Sequence, residues 1–428
     1  MKRPALHTFY VTVALALVTP ISARAQITPP EPEALKARGE TVATRARPEL
    51  EPLGVRAGSF LIFPKLSVDE TFNDNVFATR HDTKDDFSTD VKPQLAVQSD
   101  WSNHALNFST GADAGFYANY SRLDYTDWFV ASDGRLDISR DAAFFGGGGF
   151  AQLHEDPGAP NAPADAKRPT DYDLINGFGR YVQQFGKFRA LAEGTVVRND
   201  YDKTDTFNAG HVSNTGRDYN TYTGGVQVGY DLSQSYGVFV RAEGNDVAYD
   251  QKEDAGGVER NAKGFTTVAG LGVDLGGLVF GDVYAGYLEQ YFEDSQFDTL
   301  GAFTAGGTLT WNVTTLTTVN ARAARIIEQT TQTGSPAVLR TTGGLSADHE
   351  LLRNLILTAA ATITNDDYVD SNANDNYYVA GVGARYLMNR NVYARLGYQL
   401  VRRSSSGSDN TNNSYLQNVV RIGLDAQL

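Results

Sequence analysis

The chain has 428 residues and a formal net charge of −14, from 37 Lys and Arg against 51 Asp and Glu, with no cysteine. Zero Cys excludes a disulfide framework, a thiol nucleophile and a Cys-based zinc site. The acidic balance argues against a nucleic-acid partner, which would call for a basic stripe. Beyond residue 25 no apolar run reaches the ~18 residues of a helical membrane span. Modest hydrophobicity still leaves room for a transmembrane barrel, whose strands keep their polar half in the lumen.

The first 25 residues read as a signal peptide. Lys2 and Arg3 precede an apolar stretch from Phe9 to Val18, and Ala23-Arg24-Ala25 fits a small-x-small cleavage site. Residues 26–57 mix Pro29, Pro30, Pro32, Pro48 and Pro52 with Glu, Lys and Arg, the composition of an extended tail without a core of its own.

From residue 58 to 428 the sequence alternates apolar and polar side chains. Leu66, Val68 and Phe72 are interleaved with Ser67 and Asp69. Further on, Phe265, Ala269, Leu271, Val273 and Leu275 share one face, as do Leu416, Val420, Ile422, Leu424 and Leu428. A period of two marks strands with one apolar and one polar side. Tight turns are expected at Asp100–Asn103, Ser139–Asp141, Gly186–Lys187, Ser233–Ser235, Gly276–Gly277, Thr314–Thr315, Arg353–Asn354 and Asn389–Asn391. Longer polar loops fall at Asp74–Asp85, Asp156–Pro169, Asp202–Arg217, Gln251–Ala262, Gln332–Ser335, Asp366–Asn374 and Ser404–Asn413, with two more turnarounds near Arg122 and Asp294. Short turns at one end and longer loops at the other predict an all-β fold, a closed antiparallel transmembrane β-barrel of about 18 strands (16–18). An even count puts both termini on one side, the periplasm. A propeller would place four strands in each repeat of about 40 residues, and here each repeat holds two.

Aromatic residues gather near strand ends. Tyr117, Tyr125, Trp128, Tyr201, Tyr219, Tyr222, Tyr249, Tyr291, Tyr368, Tyr377 and Tyr378 mark the loop-end rim, and Trp101, Phe185, Phe188, Tyr236, Trp311 and Tyr393 the turn-end rim. They are read as the two girdles of a membrane barrel. The polar face of the strands assigns Lys92, Arg135, Asp137, Arg189, Glu193, Arg241, Glu243, Arg322, Arg395, Arg421 and Asp425 to the lumen, with Arg180, Arg340 and Arg385 joining them. An Arg or Lys facing lipid at mid-depth would cost about 2–4 kcal/mol. These charges either cross-link the wall through Arg–carboxylate pairs or guide an acidic solute.

Nothing in the sequence suggests an enzyme. His154 with Glu155 and Asp156 sits at a rim, and neither Gly-x-Ser-x-Gly nor His-Glu-x-x-His occurs. Gly146–Gly149 lies inside a strand, where no helix follows to form a phosphate loop. No cofactor and no metal is expected. The acidic residues Asp82, Asp85, Asp86, Asp366, Asp367, Asp370 and Asp375 read as solvated loop positions without EF-hand spacing.

The stretch from Arg47 to Pro64, Arg-Pro-Glu-Leu-Glu-Pro-Leu-Gly-Val-Arg-Ala-Gly-Ser-Phe-Leu-Ile-Phe-Pro, runs on to Phe72-Asn73-Asp74-Asn75-Val76-Phe77-Ala78. Together they resemble the outer-membrane β-barrel (porin-like) family whose members accompany exopolysaccharide or capsule operons. The resemblance implies a pore in the Gram-negative outer membrane that exports exopolysaccharide or passes hydrophilic solutes. Its implied partners are outer-membrane lipid and lipopolysaccharide, secreted polysaccharide and periplasmic export components. The other reading is a structural or surface-binding barrel with a plugged lumen.

Overall fold

The computed structural model describes residues 39–428, except 164, 209, 254–256, 333 and 411–413. The expected signal peptide and residues 26–38 of the tail lie outside the described residues.

Eighteen long antiparallel strands follow one another round a closed sheet, each hydrogen-bonded to its sequence neighbours. They are β1 (Phe60–Asn73), β2 (Asp86–Ser99), β3 (Ala105–Tyr117), β4 (Tyr125–Ser139), β5 (Ala142–Glu155) and β6 (Thr170–Phe185). Next come β7 (Phe188–Tyr201), β8 (Tyr219–Asp231), β9 (Tyr236–Tyr249), β10 (Ala262–Asp274), β11 (Val279–Phe292) and β12 (Leu300–Thr314). The last are β13 (Thr317–Gln329), β14 (Ala337–Leu352), β15 (Leu355–Tyr368), β16 (Asn374–Leu387), β17 (Val392–Ser406) and β18 (Tyr415–Gln427). At 13 to 16 residues, every strand exceeds the 9–11 that a tilted span requires.

β18 closes on β1 with pairs from Lys65↔Gln427 to Asn73↔Val419. Below Lys65 the edge of β1 is covered instead by a short strand, Val55–Ala57, which folds back through Gly58 onto Phe60–Ile62. Gly58 holds a φ of +62°, which a side chain would resist. Arg56 ties this hairpin to Asp100 at 2.6 Å. Between the two pairings the Pro64 carbonyl accepts from the Leu428 N–H at 3.2 Å, so the edge of β1 is covered over most of its length, as a non-aqueous surrounding demands.

The exposure pattern inverts that of a soluble protein. Leu345, Phe303 and Ile422 are each about 60% exposed, whereas Arg403, Asp375, Asp366 and Asp69 are almost wholly buried. Apolar side chains therefore form the outer surface and polar ones the interior, the arrangement of a barrel in lipid. Around the seam, Leu66, Val68, Leu424 and Leu396 point outward and Ser67, Asp69, Asp425 and Arg395 inward. Gly147 and Gly148 in β5 let neighbouring strands approach: a Cβ on either would come within 2.7 Å of a backbone oxygen of β4 or β6.

Arg395 of β17 spans the seam from inside. One of its amino groups lies 2.8 Å from Asp69 of β1 and 2.8 Å from Asp425 of β18. Arg395→Ala would leave two nearly buried carboxylates without it, at a cost of about 2 kcal/mol. The folded band on an unheated detergent gel should then convert to the unfolded one at a lower temperature than in the parent. Unchanged heat resistance would mean that lumen water already screens the pair.

Candidate functional site: the lumen and its two mouths

The inward face carries the charges expected from the sequence, mostly in pairs. Lys92 reaches Asp113 at 2.7 Å and Asp69 at 3.9 Å. Arg180 meets Glu193 at 2.9 Å, Arg241 meets Glu243 at 2.9 Å, and Arg135 meets Asp137 at 2.9 Å. Asp425 serves both Arg395 and Lys65, and Arg421 donates to Thr71 at 3.2 Å. Arg340 bridges Asp366 and Glu328. Arg189 donates to Gln184 at 3.1 Å. Among the described residues, Arg189, Arg322 and Arg385 have no carboxylate within ion-pair distance. Carboxylates thus neutralise most of the basic groups locally, and Lys65, Asp69 and Asp113 join the set although they were not among the residues assigned to the lumen from the sequence.

Several expectations are corrected at the loop end. Asp366 and Asp367 lie in β15 and Asp375 in β16, not in loops. Asp366 pairs with Arg340, and Asp375 is fully buried 2.6 Å from Arg403. Asp86 opens β2, where its carboxylate accepts from the backbone N–H groups of Asn119 and Tyr120. The loop-end aromatics split into two sets. Trp128, Tyr222, Tyr291 and Tyr378 are exposed on the outer face and suit a girdle. Tyr125, Tyr201, Tyr219, Tyr249, Tyr368 and Tyr377 share the inward face instead. There, Tyr172 stacks on Tyr201 and Tyr219 on Tyr249, each at 5.1 Å, and the Arg217 guanidinium lies 4.0 Å from the Tyr201 centroid. Rings that cover one another this way are packing elements of the wall rather than open platforms for sugar.

A bar crosses the loop-end mouth. It is formed by the described residues of the β5–β6 connection, 156–163 and 165–169. On the way the Gly158 carbonyl accepts from Arg403 of β17 at 3.2 Å. The Asn161 amide oxygen accepts from the Thr331 backbone N–H at 3.1 Å and the Thr331 hydroxyl at 3.3 Å. Thr331 belongs to the loop between β13 and β14, eight strands away in a ring of eighteen and so almost diametrically opposite. The receiving loop is fixed by Arg260, which is buried and donates to the carbonyls of Thr330 (2.8 Å), Ser335 (2.6 Å) and Gln332 (3.3 Å).

At the turn-end mouth the described part of the N-terminal tail is docked rather than extended. Residues 39–53 make tight turns and touch seven successive strands from inside. Gly39 lies against Phe280 of β11, and Glu40 accepts from Asn312 of β12 at 3.0 Å. The Val42 N–H donates to Thr318 of β13 at 2.9 Å, while its side chain is buried against Ile356 of β15 and Leu387 of β16. Arg47 pairs with Glu350 of β14 at 2.6 Å, and the Tyr393 hydroxyl of β17 donates to the Leu50 carbonyl.

Residues 47–428 match the family model described as "Putative beta-barrel porin 2". The chain belongs to this β-barrel porin family. The porin barrel is a membrane protein of the outer membrane, and its fold is that of a channel. Solved structures of similar shape include the outer membrane protein OpdK of Pseudomonas aeruginosa, at 10% identity over 86% of this chain and 99% of that one, with a TM-score of 0.44. Another is OccAB3 of Acinetobacter baumannii, at 13% identity over 87% of this chain and 100% of that one, with a TM-score of 0.46. OpdL of Pseudomonas aeruginosa matches at 11% identity over 87% and 99%, with a TM-score of 0.43. No curated protein matches the chain.

In this porin the bar depends on its far anchor. Arg260→Ala would strip the buried Thr330 and Ser335 carbonyls of their donor and leave Gln332 only the Ser335 N–H, at about 1 kcal/mol or more for each bond lost. Brief proteolysis of the folded barrel should then cut residues 330–336 or 156–169 well before any strand. Resistance equal to the parent's would show that the bar is held without Arg260.

Proposed function

We propose that this porin is a channel for small hydrophilic solutes, with its short turns and both termini in the periplasm and its longer loops at the cell surface. The observation that carries this reading is the bar between β5 and β6, tied by Asn161 to Thr331 on the far side of the mouth. An eighteen-strand ring is wide enough for an aqueous lumen unless loops fill it. A bar across the middle lowers the size of solute that passes without closing the path. The polar wall supplies many weak contacts that can replace water of hydration. Its charges are mostly compensated in place, which favours hydrophilic solutes in general over one sign of ion.

Export of exopolysaccharide is the wider reading of the same pore. It needs the bar to swing aside for a chain of sugars, with periplasmic export components delivering the polymer. The outer belt, with Trp128 and Tyr378 at the loop end and Trp101 and Tyr236 at the turn end, suits lipid and lipopolysaccharide as surroundings. A second reading is favoured by the docked residues 39–53: a surface-binding barrel whose lumen stays plugged.

Single-channel recording in planar bilayers separates these readings. The parent should conduct, with small neutral polymers entering and larger ones excluded. Replacing residues 157–163 by two glycines should raise conductance roughly twofold or more and admit larger polymers. A barrel that inserts but never conducts, with or without the bar, would sink the channel and leave the plugged barrel standing.

A further inference from the structure

We infer that residues 39–53 are a strap that undocks from the turn-end mouth as one unit and that Glu350 is its latch. The inference rests on the channel reading only for its effect on current; the undocking itself does not depend on it.

Three features of the strap set it apart from the wall. First, it is not part of the sheet. Its backbone–backbone hydrogen bonds are internal, from Arg45 to Thr41 and from Leu50 and Glu51 to Arg47, and the wall reaches its backbone only through side chains. It can therefore leave without breaking any ladder bond, unlike Val55–Ala57, which pairs with β1. Second, it is bounded by a hinge. Gly54 has a φ of +69° and sits between the strap and the paired hairpin, a left-handed position that glycine adopts without strain. Third, its hold on the wall is narrow in chemistry. One aliphatic side chain, Val42, is fully buried against Ile356 and Leu387. Leu50 packs partly on the same cluster, and wall side chains bond single backbone groups of the strap at Glu40, Val42, Ala46, Pro48 and Leu50. Its buried charge converges on one carboxylate: Glu350 lies 2.6 Å from Arg47 and 3.3 Å from Arg45.

That carboxylate and Arg47 are both about 5% exposed. A buried pair contributes little when intact but is costly to break from one side, because the survivor stays desolvated and unpaired. Loss of Glu350 would leave Arg47 facing a wall that also carries Arg385, which has no carboxylate of its own among the described residues. Undocking returns Arg47 to water, so removing the latch should favour the undocked strap. Arg353 makes a second, exposed bond to Glu49, at 2.9 Å, which water can replace and which should matter little.

The test exploits the absence of cysteine in the chain. A single thiol introduced by Val42→Cys should react slowly with a bulky maleimide in the folded, detergent-solubilised porin. Adding Glu350→Gln should speed that reaction roughly tenfold or more, and adding Glu49→Gln should not. Arg47→Met breaks the same pair from the strap side and should act as Glu350→Gln does, which guards against a variant that fails to fold. In bilayers, Val42→Cys with Leu387→Cys joined by a short cross-linker should hold one lower conductance level, while Glu350→Gln should spend most of its time at a higher one. Equal labelling rates in the parent and both latch variants would overturn the strap. Labelling that accelerates while current never flows would uphold the strap and overturn the channel. Accelerated labelling with conductance unaltered by the cross-link would overturn the strap's effect on the path.

Discussion

The constraint beneath this structure is the lack of any hydrogen-bonding solvent around its outer surface. Each backbone N–H and C=O in that zone must find its partner within the sheet, so the sheet must end where it begins. The pairing of β18 with β1 answers that requirement over Lys65–Asn73, and the folded-back Val55–Ala57 answers it for Phe60–Ile62. Strand alternation then follows: once closure fixes which side is outside, a period of two sends Leu424 and Ile422 out and Asp425 and Arg421 in.

An interior filled by polar groups obeys different rules from an apolar core. Buried carboxylates such as Asp69, Asp375 and Asp425 are accompanied by Arg or Lys at hydrogen-bond range. Charge left unpaired in a partly dehydrated lumen would be costly. Apolar clusters are correspondingly small, and one of them forms only because Val42 of the tail meets Ile356 and Leu387 of the wall. The two mouths are built alike in this respect. At each, a non-strand segment is held by side-chain bonds to residues far away in sequence: Asn161 to Thr331 of a loop, and Arg47 to Glu350 of a strand.

What could be read in the sequence was local. The turns at Gly186–Lys187 and Gly276–Gly277 announce themselves because only glycine takes those backbone angles at no cost, and both carry a positive φ in the structure. Strand faces were legible for the same reason, since a pleat imposes its period on the nearest residues. Three things were not. Near the loop-end rim the strands outlast the apolar zone, so Tyr201, Tyr219 and Tyr249 turn inward at positions where composition alone suggested a girdle. Asp366 and Asp375 looked like loop residues because a strand that projects beyond lipid no longer needs an apolar face. The docking of residues 39–53 was equally invisible, for its partners lie about 300 positions later, and Pro-rich composition reports only the lack of an independent core.

The berth of residues 39–53 has a consequence for biogenesis. It is assembled from β11 to β17, so the earliest part of the described chain depends on strands made last. A half-built sheet offers Val42 no hollow and Arg47 no counter-charge. Seating of this segment is thus a sign of completion: it can occur only after the late hairpins have taken their places, and a barrel missing one of them would carry its tail loose.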